Sequence, residues 1–182
     1  AYEICLSDWS SDVCSSDLLM QFLEITAYAL DGFAIAAETL VGQAIGARAM
    51  ADVRRAGRIA MQWGFGGAAV LALAYAAAGG AIIDLMTTAP EVRLDARHFL
   101  PWLAMAPLIG VASWIFDGIF IGALQTRAML RTMAMSVAVY VAALAALIPL
   151  MGNHGLWAAL MVLNATRGLT MWRAYPRVIG RD

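Results

Sequence analysis

Apolar and polar positions along this chain sort into long blocks. From Leu19 onward, five apolar stretches over about 19–47, 59–86, 99–124, 128–150 and 156–175 are separated by short polar or charged breaks. Each reaches the roughly 20 residues that an α-helix needs to cross a hydrocarbon core. The expected fold class is therefore all-α, a polytopic transmembrane helix bundle of five spans occupying 19–177. Proline punctuates the pattern. Pro90 is expected to end the second stretch, Pro101 falls near the first turn of the third, Pro107 should kink it, and the fifth should close before Pro176.

Composition agrees. Of 182 residues, 62% are hydrophobic and 14% charged, with a mean hydropathy of +0.73. A soluble domain is nearer half apolar and about one quarter charged. All 12 basic residues are Arg, which together with abundant Ala and Gly suggests a GC-rich bacterial source. Their placement gives orientation. The break after the first stretch holds Arg48, Arg54, Arg55 and Arg58, the break after the third holds Arg127 and Arg131, and the end of the chain holds Arg173, Arg177 and Arg181. The other breaks are balanced or uncharged. By the positive-inside rule the Arg-rich breaks and the tail 178–182 face the cytoplasm, in a multi-pass protein of the bacterial inner membrane. The first span then starts outside without a signal sequence, so upstream spans are expected and the chain reads as a fragment. Residues 1–18 fit neither a signal peptide nor a span. They read as a non-native, linker-like string without order, and Cys5 and Cys14, nine residues apart with no third ligand nearby, receive no role.

The candidate chemistry lies in carboxylates placed inside apolar stretches. Asp31 and Glu38 are seven residues apart, and Glu24 is seven before Asp31, so all three share one helical face. A charge at the bilayer centre costs on the order of 3 kcal/mol on the lenient insertion scale, so that face should turn toward a protein interior or a watery cavity. Asp117 sits 18 residues into the third stretch with no basic residue near it in sequence. It meets the physical requirement of a proton- or cation-responsive carboxylate in a transporter. Arg167 and Asn164 on the last span are candidate partners, although Arg167 has a stem long enough to snorkel toward the cytoplasm. Asp84 and His154 read as interfacial and turn residues. Gly42 with Gly46, and Gly118 with Gly122, form GxxxG pairs that let helix backbones approach. No nucleotide loop, nucleophile elbow or clustered His/Cys set is present, so neither an enzyme nor a metal site is expected, and no basic–aromatic patch suits nucleic acid.

The segments LDGFAIAAETLVGQAIGAR, LPWLAMAPLIGVASWIFDGIFIGALQTRAMLR and GNHGLWAALMVLNATRGLT resemble the C-terminal lobe of the multidrug and toxic compound extrusion (MATE) family, in its DinF-like branch, over about 19–177. The resemblance implies a protein of twelve spans in two six-helix lobes, of which this chain would supply spans eight to twelve. It implies a cation-coupled antiporter that admits H+ or Na+ as a lipophilic, often cationic, compound leaves by alternating access, with no other cofactor. Asp117 stands near a tenth-span acid used in coupling by some members. Asp31 and Glu38 match the eighth-span pattern, where they would line the central cavity. The implied partners are the lipid bilayer, small lipophilic or cationic substrates, and an N-terminal lobe and seventh span that this sequence lacks. Two other readings stay open: a lipid- or polysaccharide-precursor flippase, and a non-functional remnant or membrane scaffold.

Overall fold

The computed structural model describes the backbone of residues 8–179 and the side chains of residues 17–176. Five helices follow in chain order: α1 (Asp8–Gly46), α2 (Met50–Met86), α3 (Pro90–Gly122), α4 (Thr126–Met151) and α5 (Asn153–Ile179). Joined by turns of at most three residues, consecutive helices run antiparallel. At 1.5 Å per residue, helices of 26 to 39 residues are about 39 to 58 Å long, so they project beyond a hydrocarbon core of about 30 Å.

The helices therefore begin earlier than the apolar stretches do. The basic residues Arg54, Arg55 and Arg58 ride on the first turns of α2 rather than in a loop, and Pro90 opens α3 instead of merely ending α2. Proline is well placed at a first helical position, where its missing N–H has no intrahelical acceptor. Pro101 consequently lies well inside α3, and α5 continues through Pro176 to Ile179. At the other end of the chain, residues 8–18 form the first turns of α1. No Gly or Pro interrupts Asp8 to Leu19, and a nucleated helix extends at one hydrogen bond per residue. Residues 1–7, with Cys5, and residues 180–182 of the tail lie outside the described residues.

Four helices are both long and apolar enough to cross a membrane: 17–46 of α1, and α2, α3 and α4. The fifth has the length, at 27 residues, but carries His154, Asn164, Arg167 and Arg173 and is the most polar of the set. Of these, Arg167 is directed inward, onto Asp117 of α3.

The turns after α1 and α3 share one conformation. Arg48 and Leu124 both take a left-handed φ of 56°. The following amides, Ala49 and Gln125, donate to the carbonyls of Ala44 and Phe120 at 2.9 Å, closing the six-to-one bond of a Schellman cap without its usual glycine.

α3 is the central element, packed against α1, α2 and α5, with α4 held mainly by α5. Between Gly110 and Phe120 nearly every α3 residue is buried, whereas α4 buries only Thr132 and Ser136. The core divides into two layers. One contains Leu30, Val41, Val53, Ile115, Phe120 and Met171. The other, toward the α2–α3 turn, contains Leu19, Phe22, Tyr75, Ile83, Leu103 and Trp157. In that second layer a polar tie crosses from α2 to α1: the Tyr75 hydroxyl lies 2.6 Å from Thr26 Oγ1 and donates to the Phe22 carbonyl at 3.1 Å.

Candidate functional site

The site begins with the crossing of α1 and α3. A Cβ added to Gly118 would collide with the backbone of Ala34, and one added to Gly122 with the backbone of Glu38. The α3 glycine pair therefore does what its spacing predicts. The α1 pair does so only in part: Gly42 faces the Gly122 carbonyl at 3.6 Å, but an added Cβ at Gly46 meets nothing, because Gly46 is the last residue of α1 and lies past the crossing. This contact fixes the positions of the acids. Leu30, Ala34, Ala37 and Val41 turn onto α3, and the stripe bearing Glu24, Tyr28, Asp31 and Ile35 is consequently exposed, with Glu38 half-buried at its edge. Of the interior or watery cavity expected for these acids, the interior of this chain is not where they lie. Its small apolar stripe takes the buried side, and the acidic face stays open.

Asp117, next to Gly118, points toward α5. Gly168 packs on α3 beside this carboxylate, where an added Cβ would make ordinary contacts of 3.4 Å to Ala112 Cβ and 3.6 Å to the Ser113 amide nitrogen. Arg167, next to Gly168, does not snorkel. Its Nη2 donates to Asp117, lying 2.8 Å from Oδ1 and 2.7 Å from Oδ2. Both side chains are under one-fifth exposed, and the Arg167 Nε is buried with no hydrogen-bond partner. In a low-dielectric interior the pair's attraction offsets the desolvation that either charge alone would suffer, and turning inward gives Arg167 a counter-ion. Asn164 plays no part in the pair and donates to its own helix at the Leu160 carbonyl, 3.2 Å away.

The far end of the bundle holds a second polar group. Asp84 pairs with Arg97 and lies 3.7 Å from Arg93 Nε, and Arg93 also donates to the Thr87 and Asp84 carbonyls. His154 is not an isolated turn residue. Its Nδ1 accepts from Trp102 Nε1 at 3.1 Å, and its Nε2 lies 3.0 Å from that of His98, tying the start of α5 to α3. No sequence spacing signals this pair, since its members stand 56 residues apart. Among the described residues no group of three His, Cys, Asp or Glu side chains can hold a metal ion.

Comparison with known proteins bears on this arrangement. The family model MatE matches residues 10–147. The chain belongs to the MatE family. It is also similar to DNA damage-inducible protein F of Escherichia coli (strain K12), at 38% identity over 171 residues that make up 92% of this chain and 37% of that relative. The resemblance of the LDGF and DGIFIGA segments is thus shown at the level of family, and the chain spans little more than a third of the relative's length. The family match covers α1 to α3 and most of α4, including Asp31, Glu38, Asp117 and the glycine crossing. Arg167 lies beyond it, within the stretch similar to the Escherichia coli protein.

Proposed function

We propose that this chain forms spans eight to twelve of a cation-coupled multidrug antiporter, and that the Asp117–Arg167 pair is its ion-responsive element. The supporting observation is the pair itself: a carboxylate within a membrane span, held by one guanidinium nitrogen, on the two helices that flank the bundle centre. An entering H+ or Na+ competes with Arg167 for Asp117. Once Asp117 is neutralised, Arg167 is left as a buried cation without its counter-ion, which favours separation of α3 from α5. A two-state contact of this kind can bias rocking between the faces of a transporter. The open stripe of Glu24, Asp31 and Glu38 carries charge suited to lipophilic cations and lies where an N-terminal lobe would complete the cavity. On this reading the ends bearing Arg54, Arg58, Arg127 and Arg131 face the cytoplasm of a bacterial inner membrane, with the C-terminus on that side.

The test is drug efflux by the complete protein, with surface expression matched. Asp117→Asn lowers efflux, and Arg167→Gln lowers it as well. Because Asp117→Asn leaves Arg167 buried and unpaired, the double variant Asp117→Asn/Arg167→Gln controls for folding: it should be more stable than either single variant and still fail to couple. Normal resistance in Asp117→Asn cells would refute the coupling role.

A further inference from the structure

Between α2, α3 and α5, at the Arg-rich end, a groove of about 640 Å³ opens at the surface. Arg54 and Arg58 stand one helical turn apart at its mouth, with Gly57 between them. The Tyr175 hydroxyl rests over Gly57, so close that an added Cβ would lie 2.7 Å from it. Arg54, Arg58 and Tyr175 all line the groove, so two guanidinium groups and a hydroxyl are available within it. Among the described residues no ion pair engages Arg54 or Arg58, and no acid lines the groove. The rest of its lining is apolar: Met61, Phe116, Ile119, Pro176 and the exposed ring of Trp172. From Arg54 to Met61 is seven residues, so charge gives way to apolar surface over about 10 Å along α2.

That gradient matches one chemical class. A phosphate alone would use the two Arg and the hydroxyl and leave the apolar wall bare, and a neutral acyl chain would leave two guanidinium groups without counter-ions. We infer that the groove binds an anionic phospholipid of the cytoplasmic leaflet, its phosphate held by Arg54, Arg58 and the Tyr175 hydroxyl and an acyl chain lying on Phe116 and Ile119. Basic pockets between spans on the cytoplasmic side are suited to such headgroups. The leaflet assignment rests on the orientation given under Proposed function, whereas the lipid chemistry rests on the groove alone.

The experiment uses the complete protein purified in neutral detergent and titrated with phosphatidylglycerol, phosphatidylcholine or inorganic phosphate, followed by thermal unfolding. Phosphatidylglycerol should stabilise the protein saturably, and phosphatidylcholine should not. At about fivefold per guanidinium, Arg54→Gln/Arg58→Gln should raise the half-saturating phosphatidylglycerol concentration about 25-fold. Both side chains are exposed, so the variant retains the packing of the bundle. Tyr175→Phe keeps the ring on Phe116 and should shift half-saturation by about fivefold. Brominated phosphatidylglycerol should quench tryptophan fluorescence, and Trp172→Phe should remove that quench while leaving the thermal stabilisation. An unchanged half-saturation in the double variant would overturn the inference. So would equal stabilisation by phosphatidylcholine, or by inorganic phosphate alone. Lipid selection that persists in a protein without efflux refutes only the transport reading, and efflux without lipid selection refutes only the groove.

Discussion

Gly118→Ala adds a single methyl group where the backbones of α1 and α3 approach closely, and its cost can be worked from the crossing. The new Cβ would collide with the Ala34 carbonyl oxygen and lie 2.8 Å from its carbon and 3.0 Å from its Cα. Ordinary carbon contacts need about 3.5 to 4.0 Å, so α1 and α3 must part by up to about 1 Å. Such a gap forfeits a quarter to a half of each contact's roughly 0.1–0.2 kcal/mol. Over some 40 atom pairs from Leu30, Ala34, Ala37 and Val41 against α3, the loss is about 2 kcal/mol, within the range for overpacked cores. Alanine's helix propensity returns at most about 1 kcal/mol, leaving a net destabilisation of about 1–2 kcal/mol. Gly46→Ala meets nothing within 4 Å and has no positive φ, so it should be neutral or mildly stabilising. The assay is the free energy of SDS-driven unfolding of the complete protein in mixed micelles, with each variant run beside the wild type. If Gly118→Ala proves as stable as wild type, or Gly46→Ala loses as much as Gly118→Ala, the crossing does not hold α1 on α3 as described.

Two further outcomes follow from local geometry. Tyr75→Phe removes the hydroxyl that joins α2 to Thr26 and the Phe22 carbonyl but keeps the ring, edge-on to Phe22 at 5.9 Å between centroids. It should cost about 1 kcal/mol in the same unfolding assay, whereas Tyr75→Ala should cost about 3–5 kcal/mol. Leu124→Gly relieves a left-handed residue whose side chain is 83% exposed. It should stabilise the protein by about 0.5–1 kcal/mol, and a loss of stability would show that the Leu124 side chain holds the α3–α4 turn through contacts of its own.

How far the sequence carries the fold depends on which physical quantity it records. Hydropathy records where lipid contacts the chain, so the predicted spans end within two residues of the helices at Gly46, Met86, Gly122 and Met151. It is blind to helix that continues into water, which is why Arg54, Arg55 and Arg58 fall on α2 rather than in a loop. A helical period places Glu24, Asp31 and Glu38 on one face, but it cannot say which stripe α3 will cover. That choice rests on Leu30, Ala34, Ala37 and Val41, whose small or compact side chains admit Gly118 and Gly122. Arg167 shows the same limit in three dimensions. Read along the chain it is a candidate partner for Asp117 whose stem could equally reach toward the cytoplasm. In the fold it meets Asp117, fifty residues away in sequence, because α5 packs on α3. Small residues thus fix where α1 crosses α3, and the packing of α5 on α3 decides that Asp117 meets Arg167.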